Sequence, residues 1–241
     1  MSRAKKPFLF KQFQIFHDEC AMKVGTDGVL IGAWVEVINA KIVLDIGTGT
    51  GLMAIMMAQK SAGARIDAID IDSAAYHQAL KNVDLCQWKD RIRIYNQSVQ
   101  DFTSQQTAFQ YDRIVCNPPF FNAGTASNIS NRQIARHTNT LSYDDLIDAV
   151  CKLLSFNGKF SLVLPRLEGL EFQKIAIAKG LYLTRLTEVQ SKKDKPVERL
   201  LMEFQREAQQ MVKSQLVIQY EGRNDWTPDY IALTKDFYLK M

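Results

Sequence analysis

An α/β fold built on one mostly parallel sheet is predicted by three features of this chain. From Lys41 onward, short apolar runs alternate with helical patterns. A glycine-rich turn separates the first run from the first helix, and two β-type runs close the last third around a polar loop. Strands that alternate with helices pair in parallel and are covered on both faces, so they read as continuous apolar runs.

The elements follow in order. Ile42 to Ile46 is the first strand and Leu52 to Lys60 the first helix. Arg65 to Ile71 is a strand, after which Ser73 caps a helix reaching about Gln87. Arg91 to Asn96 and Asp112 to Cys116 are strands. Ser142, with Asp145 three residues later, caps a helix to about Ser155, and Lys159 to Leu164 is the next strand. Leu181 to Val189 and Arg199 to Gln205 flank the lysine-rich loop Gln190 to Glu198, which makes a hairpin and an antiparallel strand. That gives a seven-stranded sheet, with Gln215 to Tyr220 as a candidate for one more edge strand. Thr227-Pro228 opens a short last helix. Two stretches read as something other than scaffold: Phe13 to Gly32, and the long polar run Phe121 to Leu141.

Composition limits the function classes. The 241 residues, 46% of them hydrophobic, suit one enlarged domain better than two. A net charge of +4 permits a polyanionic partner without requiring one. Cys20, Cys86, Cys116 and Cys151 show neither Cys-x-x-Cys nor zinc spacing, so no metal is expected. So few thiols, no leader-like start and no long apolar run point to a cytoplasmic protein without a membrane span.

The turn Asp45-Ile46-Gly47-Thr48-Gly49-Thr50-Gly51 joins a strand to a helix, where glycines let a ligand approach the backbone. Dinucleotide folds use G-x-G-x-x-G, with a pyrophosphate at the helix N-terminus. Here the spacing is G-x-G-x-G, preceded by Asp45. A carboxylate repels phosphate but favours an ammonium or sulfonium group, which points to S-adenosylmethionine. Asp70, at the end of the second strand, is placed to bond ribose hydroxyls, and Asp101, after the third, to accept from an adenine amino group.

The fourth strand runs into Asn117-Pro118-Pro119-Phe120. Two prolines end the strand and stiffen the backbone. An amine conjugated with a ring is a poor nucleophile. An asparagine oxygen and a proline carbonyl that each accept one N–H aim its lone pair at the methyl group, and Phe120 can stack on the acceptor.

With these motifs the chain resembles the class I S-adenosylmethionine-dependent methyltransferases with their Rossmann-like fold, in the amino-methylating branch that carries Asn-Pro-Pro-Tyr/Phe. Lys23-Val24-Gly25-Thr26-Asp27-Gly28-Val29-Leu30, Arg132 to His137 and the tail Lys235-Asp236-Phe237-Tyr238 sharpen the resemblance. They are similar to the bacterial adenine-N6 methyltransferases that act beside the anticodon of valine tRNA. The resemblance implies Asp27, Asp45, Gly47, Thr48, Gly49, Gly51, Asp70, Asp101 and Asn117 around the cofactor, and Asn117 to Phe120 on the target base. It implies an N-terminal extension, residues 1–40, covering the cofactor site of a methyltransferase domain, residues 41–241. Arg132, Arg136, His137, Lys192, Lys193 and Lys195 are the candidate RNA contacts. The motif chemistry alone also admits a release-factor glutamine or a ribosomal-RNA guanine-N2 as acceptor.

Overall fold

The computed structural model describes residues 6–20, 22–107, 110–118, 141–222 and 224–241. Among them are ten strands: β1 (Phe8–Leu9), β2 (Gln14–Ile15), β3 (Ile42–Ile46), β4 (Arg65–Asp70), β5 (Ile92–Asn96), β6 (Tyr111–Cys116), β7 (Leu154–Pro165), β8 (Tyr182–Gln190), β9 (Arg199–Gln205) and β10 (Val212–Val217). The α-helices are α1 (Thr26–Trp34), α2 (Leu52–Lys60), α3 (Ser73–Asp84), α4 (Val99–Gln105), α5 (Tyr143–Leu153), α6 (Arg166–Ala178) and α7 (Pro228–Thr234).

The main sheet has eight strands in the order β10-β8-β9-β7-β6-β3-β4-β5, and β1 and β2 form a separate small ribbon. Only β9 runs against the others, pairing antiparallel with both β7 and β8. The expected count of seven is corrected by β10, which pairs in parallel with β8 at the edge. This strand lies three residues earlier than Gln215 to Tyr220, because its first four residues are exposed and give no apolar pattern. Since β8 parallels β7, the hairpin loop after β8 lies at the same end of the sheet as the loops after β3, β4 and β6. Ligand sites of open α/β sheets form at this carboxyl end.

Two apolar layers cover the sheet. One joins α1 and α2 with Phe10, Phe13, Tyr230 and Phe237 from the chain ends. The other packs Phe102, Tyr111, Phe160, Phe172 and Phe204 between the sheet and α4, α5 and α6. Part of the stretch Phe13 to Gly32 is therefore scaffold. Helix α1 is buried from Gly28 to Trp34, as expected for a helix apolar on every side.

Helix ends explain where several charges go. Asp72 rather than Ser73 caps α3, accepting from the Ala74 N–H at 3.0 Å. Ser142 caps α5, with its hydroxyl donating back to Asp145 at 2.8 Å. The Lys60 ammonium donates to the carbonyls of Gly32, Ala33 and Val35 at the end of α1. Burial lowers its pKa to about 8. Arg91 serves Ala58 at the end of α2, and Arg206 serves Cys151 and Leu154 at the end of α5. Part of the basic excess thus closes helices and does not face a polyanion. No helix among the described residues is long and apolar enough to cross a membrane.

Candidate active site at the carboxyl ends of the strands

The turn after β3 is made by glycines in the left-handed region: Gly47 at φ 71°, Gly49 at 55° and Gly51 at 80°. A Cβ on Gly47 or Gly49 would meet nothing within 4 Å, so both present bare backbone to open space. Gly51 does other work. It caps α2 and backs onto Ala79 at 3.4 Å, away from that space. The turn is braced from β4: the Gly47 and Thr48 N–H groups donate to the Ile69 carbonyl at 2.9 and 3.0 Å. The Gly49 N–H donates to Asp70 Oδ2 at 2.7 Å.

Asp45 lies beneath this turn, fully buried. The Thr48 hydroxyl donates to its Oδ2 at 2.7 Å, and Oδ1 has no hydrogen-bond partner among the described residues. Burial raises its pKa to about 7. The Thr48 hydroxyl and the Ala54 N–H pull it down, and Asp70 adds a push upward. Asp70 is also raised, chiefly by burial, with N–H groups of Asp72 and Gly49 opposing.

Two adjoining cavities open on the turn. The first, about 360 Å³, is walled by Ile46, Gly47 and Gly49, by Asp70 to Asp72, by Gln97 to Gln100, by Asn117 and Pro118, and by Leu141 and Asp145. The second, about 310 Å³, lies between Met22–Gly28 and Gly47–Thr50, with Asn117 and Arg199 completing it. Met22, Gly47, Gly49 and Asn117 belong to both. Asn117 therefore stands at the junction, and its Oδ1 is buried without a hydrogen-bond partner among the described residues.

Most of the residues expected around a cofactor line these cavities; Asp45, buried beneath the turn, Gly51 and Asp101 do not. Asp101 is exposed and does not line either cavity; its carboxylate accepts from Ser98 at 2.7 Å in the cap of α4. Its neighbours Ser98 and Gln100 line the first cavity in its place. Asp27 lines the second cavity, but its Oδ2 accepts from Arg199 Nε at 3.0 Å. Arg199, Ser98, Leu141 and Asp145 were missed by motif reasoning. Ser98 and Asp145 carried a local signal, as members of the Ser98-x-x-Asp101 and Ser142-x-x-Asp145 capping patterns.

The N-terminal segment is pinned over the site by α3. The buried Asn82 amide donates to the carbonyls of Phe16 and Thr50, both at 2.8 Å, and accepts from the Phe16 N–H. Gln78 accepts from the Glu19 N–H, and Lys81 pairs with the Glu19 carboxylate at 2.7 Å. At the rim, Lys192 donates to Glu221, while Lys193 and Lys195 are exposed in the β8–β9 loop. Pro119, Phe120, Arg132, Arg136 and His137 lie outside the described residues.

Comparison with known proteins fits this geometry. Residues 25–166 match the family model of the methyltransferase small domain. The chain is 44% identical to the tRNA1(Val) (adenine(37)-N6)-methyltransferase of Pseudoalteromonas translucida, over 97% of this chain and 99% of that protein. It is 41% identical to the protein of that name in Yersinia pseudotuberculosis, over 96% of this chain and 92% of that one. The fold is shared with a predicted O-methyltransferase, Atu636 of Agrobacterium tumefaciens, at a TM-score of 0.68 and 16% identity, covering 88% of this chain and 96% of that one.

Proposed function

The chain belongs to the methyltransferase small domain family and, within it, to the group of tRNA1(Val) (adenine(37)-N6)-methyltransferases, and from that premise we propose how its site works. It transfers a methyl group from S-adenosylmethionine to N6 of adenine 37, beside the anticodon of a valine tRNA. The cytoplasm is the compartment this reading requires.

The residues present fit the cofactor. Asp70 would hold the ribose hydroxyls, with Ile71 and Val99 as apolar walls for the purine and Ser98 and Gln100 as polar partners at its edge. The bare backbone of Gly47 and Gly49 would admit the sulfur and the amino-acid tail, beside Thr48. The buried Asp45 carboxylate, with Oδ1 unpartnered among the described residues, would complement their positive charge. When bound, S-adenosylmethionine supplies a methyl group on a positively charged sulfur, which leaves as a neutral thioether. Cys20 and Met22 wall the first cavity, so the N-terminal extension, residues 1–40, would cover the cofactor.

One observation carries the acceptor assignment: the buried, unpartnered Asn117 Oδ1 at the junction of the two cavities. An unsatisfied buried acceptor costs about 1–3 kcal/mol and is retained where a ligand supplies the donor. Asn117 Oδ1 would accept one N6–H and the Pro118 carbonyl the other. That weakens conjugation of the nitrogen lone pair with the ring and directs it at the methyl carbon. The new N–C bond forms as the S–C bond breaks, and the nitrogen then releases one proton to water. Pro119 and Phe120 would complete the grip on the base. Arg132, Arg136, His137, Lys192, Lys193 and Lys195 would meet the RNA backbone. Incubation with purified tRNA, followed by mass spectrometry of the nucleosides, should yield N6-methyladenosine; methylguanosine, or label only in protein, would sink the reading.

A further inference from the structure

We propose that the Asp27–Arg199 ion pair is a positioning clamp: it holds the Met22–Gly28 wall of the second cavity against the acceptor side of the sheet, and Asp27 acts through Arg199 rather than on the cofactor. This rests on the cofactor assignment above.

The two residues are 172 positions apart and meet at 3.0 Å. The Asp27 side chain is 21% exposed and that of Arg199 33%, shielded enough for the attraction to exceed that of a surface pair. Each is fixed from its own side. Asp27 lies in the first turn of α1, where a carboxylate suits the helix dipole. The next residue, Gly28, packs so closely on α2 that a Cβ there would lie 3.3 Å from Leu52 Cδ2. Arg199 is the first residue of β9, in register with Pro165 of β7, and its Nη1 donates to the Glu198 carbonyl at 3.1 Å. Strand β7 pairs in turn with β6, which ends at Cys116, the residue before Asn117. The pair therefore ties the segment over the glycine turn to the strands that carry the acceptor grip. A carboxylate already committed to a guanidinium has less to offer the cofactor ammonium. The Asp27–Arg199 pair is itself neutral, Lys23 adds a positive charge to that wall, and the charge that favours a cation is left to Asp45 and Asp70.

A charge swap separates the clamp from a direct contact. S-adenosylmethionine binding is measured by calorimetry, without RNA, for wild type, Asp27→Asn, Arg199→Gln and the double variant Asp27→Arg/Arg199→Asp. Each single variant should bind roughly tenfold more weakly, the scale of one charge-assisted hydrogen bond. The swap should recover to within about threefold of wild type, since like-for-like exchange keeps the pair. A swap weaker than both singles would mean that Asp27 faces the cofactor cation directly, and unchanged singles would remove the clamp. Should the swap not fold, Arg199→Lys decides, because it keeps the charge and loses the planar fork. The clamp requires an intermediate loss there, and wild-type affinity would overturn it. Failure of wild type itself to bind would remove the cofactor assignment instead.

Discussion

The glycine turn and the Asn117 ledge sit side by side at the carboxyl end of one sheet, and they are finished to different degrees. The turn's backbone is braced without a ligand, while Asp45 Oδ1 beneath it has no hydrogen-bond partner among the described residues. N–H groups of the turn are taken up by Ile69 and Asp70, its Thr50 carbonyl by Asn82, and Asp45 is bonded by Thr48. The ledge is incomplete: Asn117 Oδ1 is buried and accepts from none of the described residues. The difference separates two tasks. A cofactor cradle gains from being built in advance, because its shape is then not assembled at the expense of binding energy. A group that must activate a nucleophile keeps its hydrogen-bonding capacity for the transition state.

The strongest way to break this comparison is Asn117→Ala. The ledge contributes to the acceptor alone, so kcat should fall by roughly 10²–10³-fold, the scale of one lost preorganised hydrogen-bonding group. S-adenosylmethionine affinity should be nearly intact. The melting temperature should not fall, since the substitution removes an unpaired buried acceptor rather than a bond. Single-turnover kinetics and calorimetry on one preparation test both halves; weaker cofactor binding with unchanged turnover would reverse the assignment.

Asp70→Ala probes the finished region, and its signature should be opposite. It removes the proposed ribose ligand and the brace on the Gly49 N–H together. Cofactor binding should weaken by about 1.5–3 kcal/mol, typical of charge-assisted hydrogen bonds. The melting temperature of the unliganded protein should drop as well, which distinguishes Asp70 from Asn117. Unchanged affinity would take Asp70 out of the site.

The two regions were also unequally legible in the sequence. A glycine turn between a strand and a helix is a local pattern, and all three glycines adopt the positive φ that such a pattern needs. Strand position favours Asp70 over Asp72; both line the first cavity, and Asp72 also caps α3. What escaped was set by contacts distant in sequence. Arg199 reaches the site through the β7–β9 register, and no local motif announces it. Asp101 has the right spacing for a ligand, but a serine three residues earlier gave its carboxylate a nearer partner. The edge strand β10 was displaced because an exposed edge carries little alternation to read. Helix α1 was taken for a functional loop because its apolar residues have no periodic face.

Asp45 connects the comparison to pH. Burial holds its pKa at about 7, well above the ordinary carboxylate value. The folded protein therefore keeps a proton that the unfolded chain has lost between about pH 4 and 7. Its contribution to stability is fully present below pH 4 and declines as pH rises to 7. The change is at most about 4 kcal/mol, from roughly three pK units at 1.36 kcal/mol each. Cofactor binding has the opposite sign, because the ionised form attracts the cationic sulfur and ammonium. Affinity should fall by up to about tenfold per unit as pH drops below 7. Asp45→Asn should flatten both profiles; a pH-dependent affinity that survives the substitution would assign the titration to another group.

The smallest expected effect is at the rim, where the β8–β9 loop shares the sheet end with Asn117. Lys192 is engaged with both the carbonyl and the carboxylate of Glu221, whereas Lys193 and Lys195 are exposed. A cation already neutralised by a carboxylate releases few counterions from RNA. The double variant Lys193→Ala/Lys195→Ala should therefore raise the tRNA KM a few-fold at unchanged kcat. It should also lower the slope of log affinity against log salt by roughly 0.7–0.9 per lysine that contacts phosphate. Lys192→Ala should act mainly on loop stability, with a smaller change in slope. Equal slopes for wild type and the double variant in a salt titration of tRNA binding would place the RNA elsewhere on the rim, and would leave the cofactor cradle and the Asn117 ledge untouched.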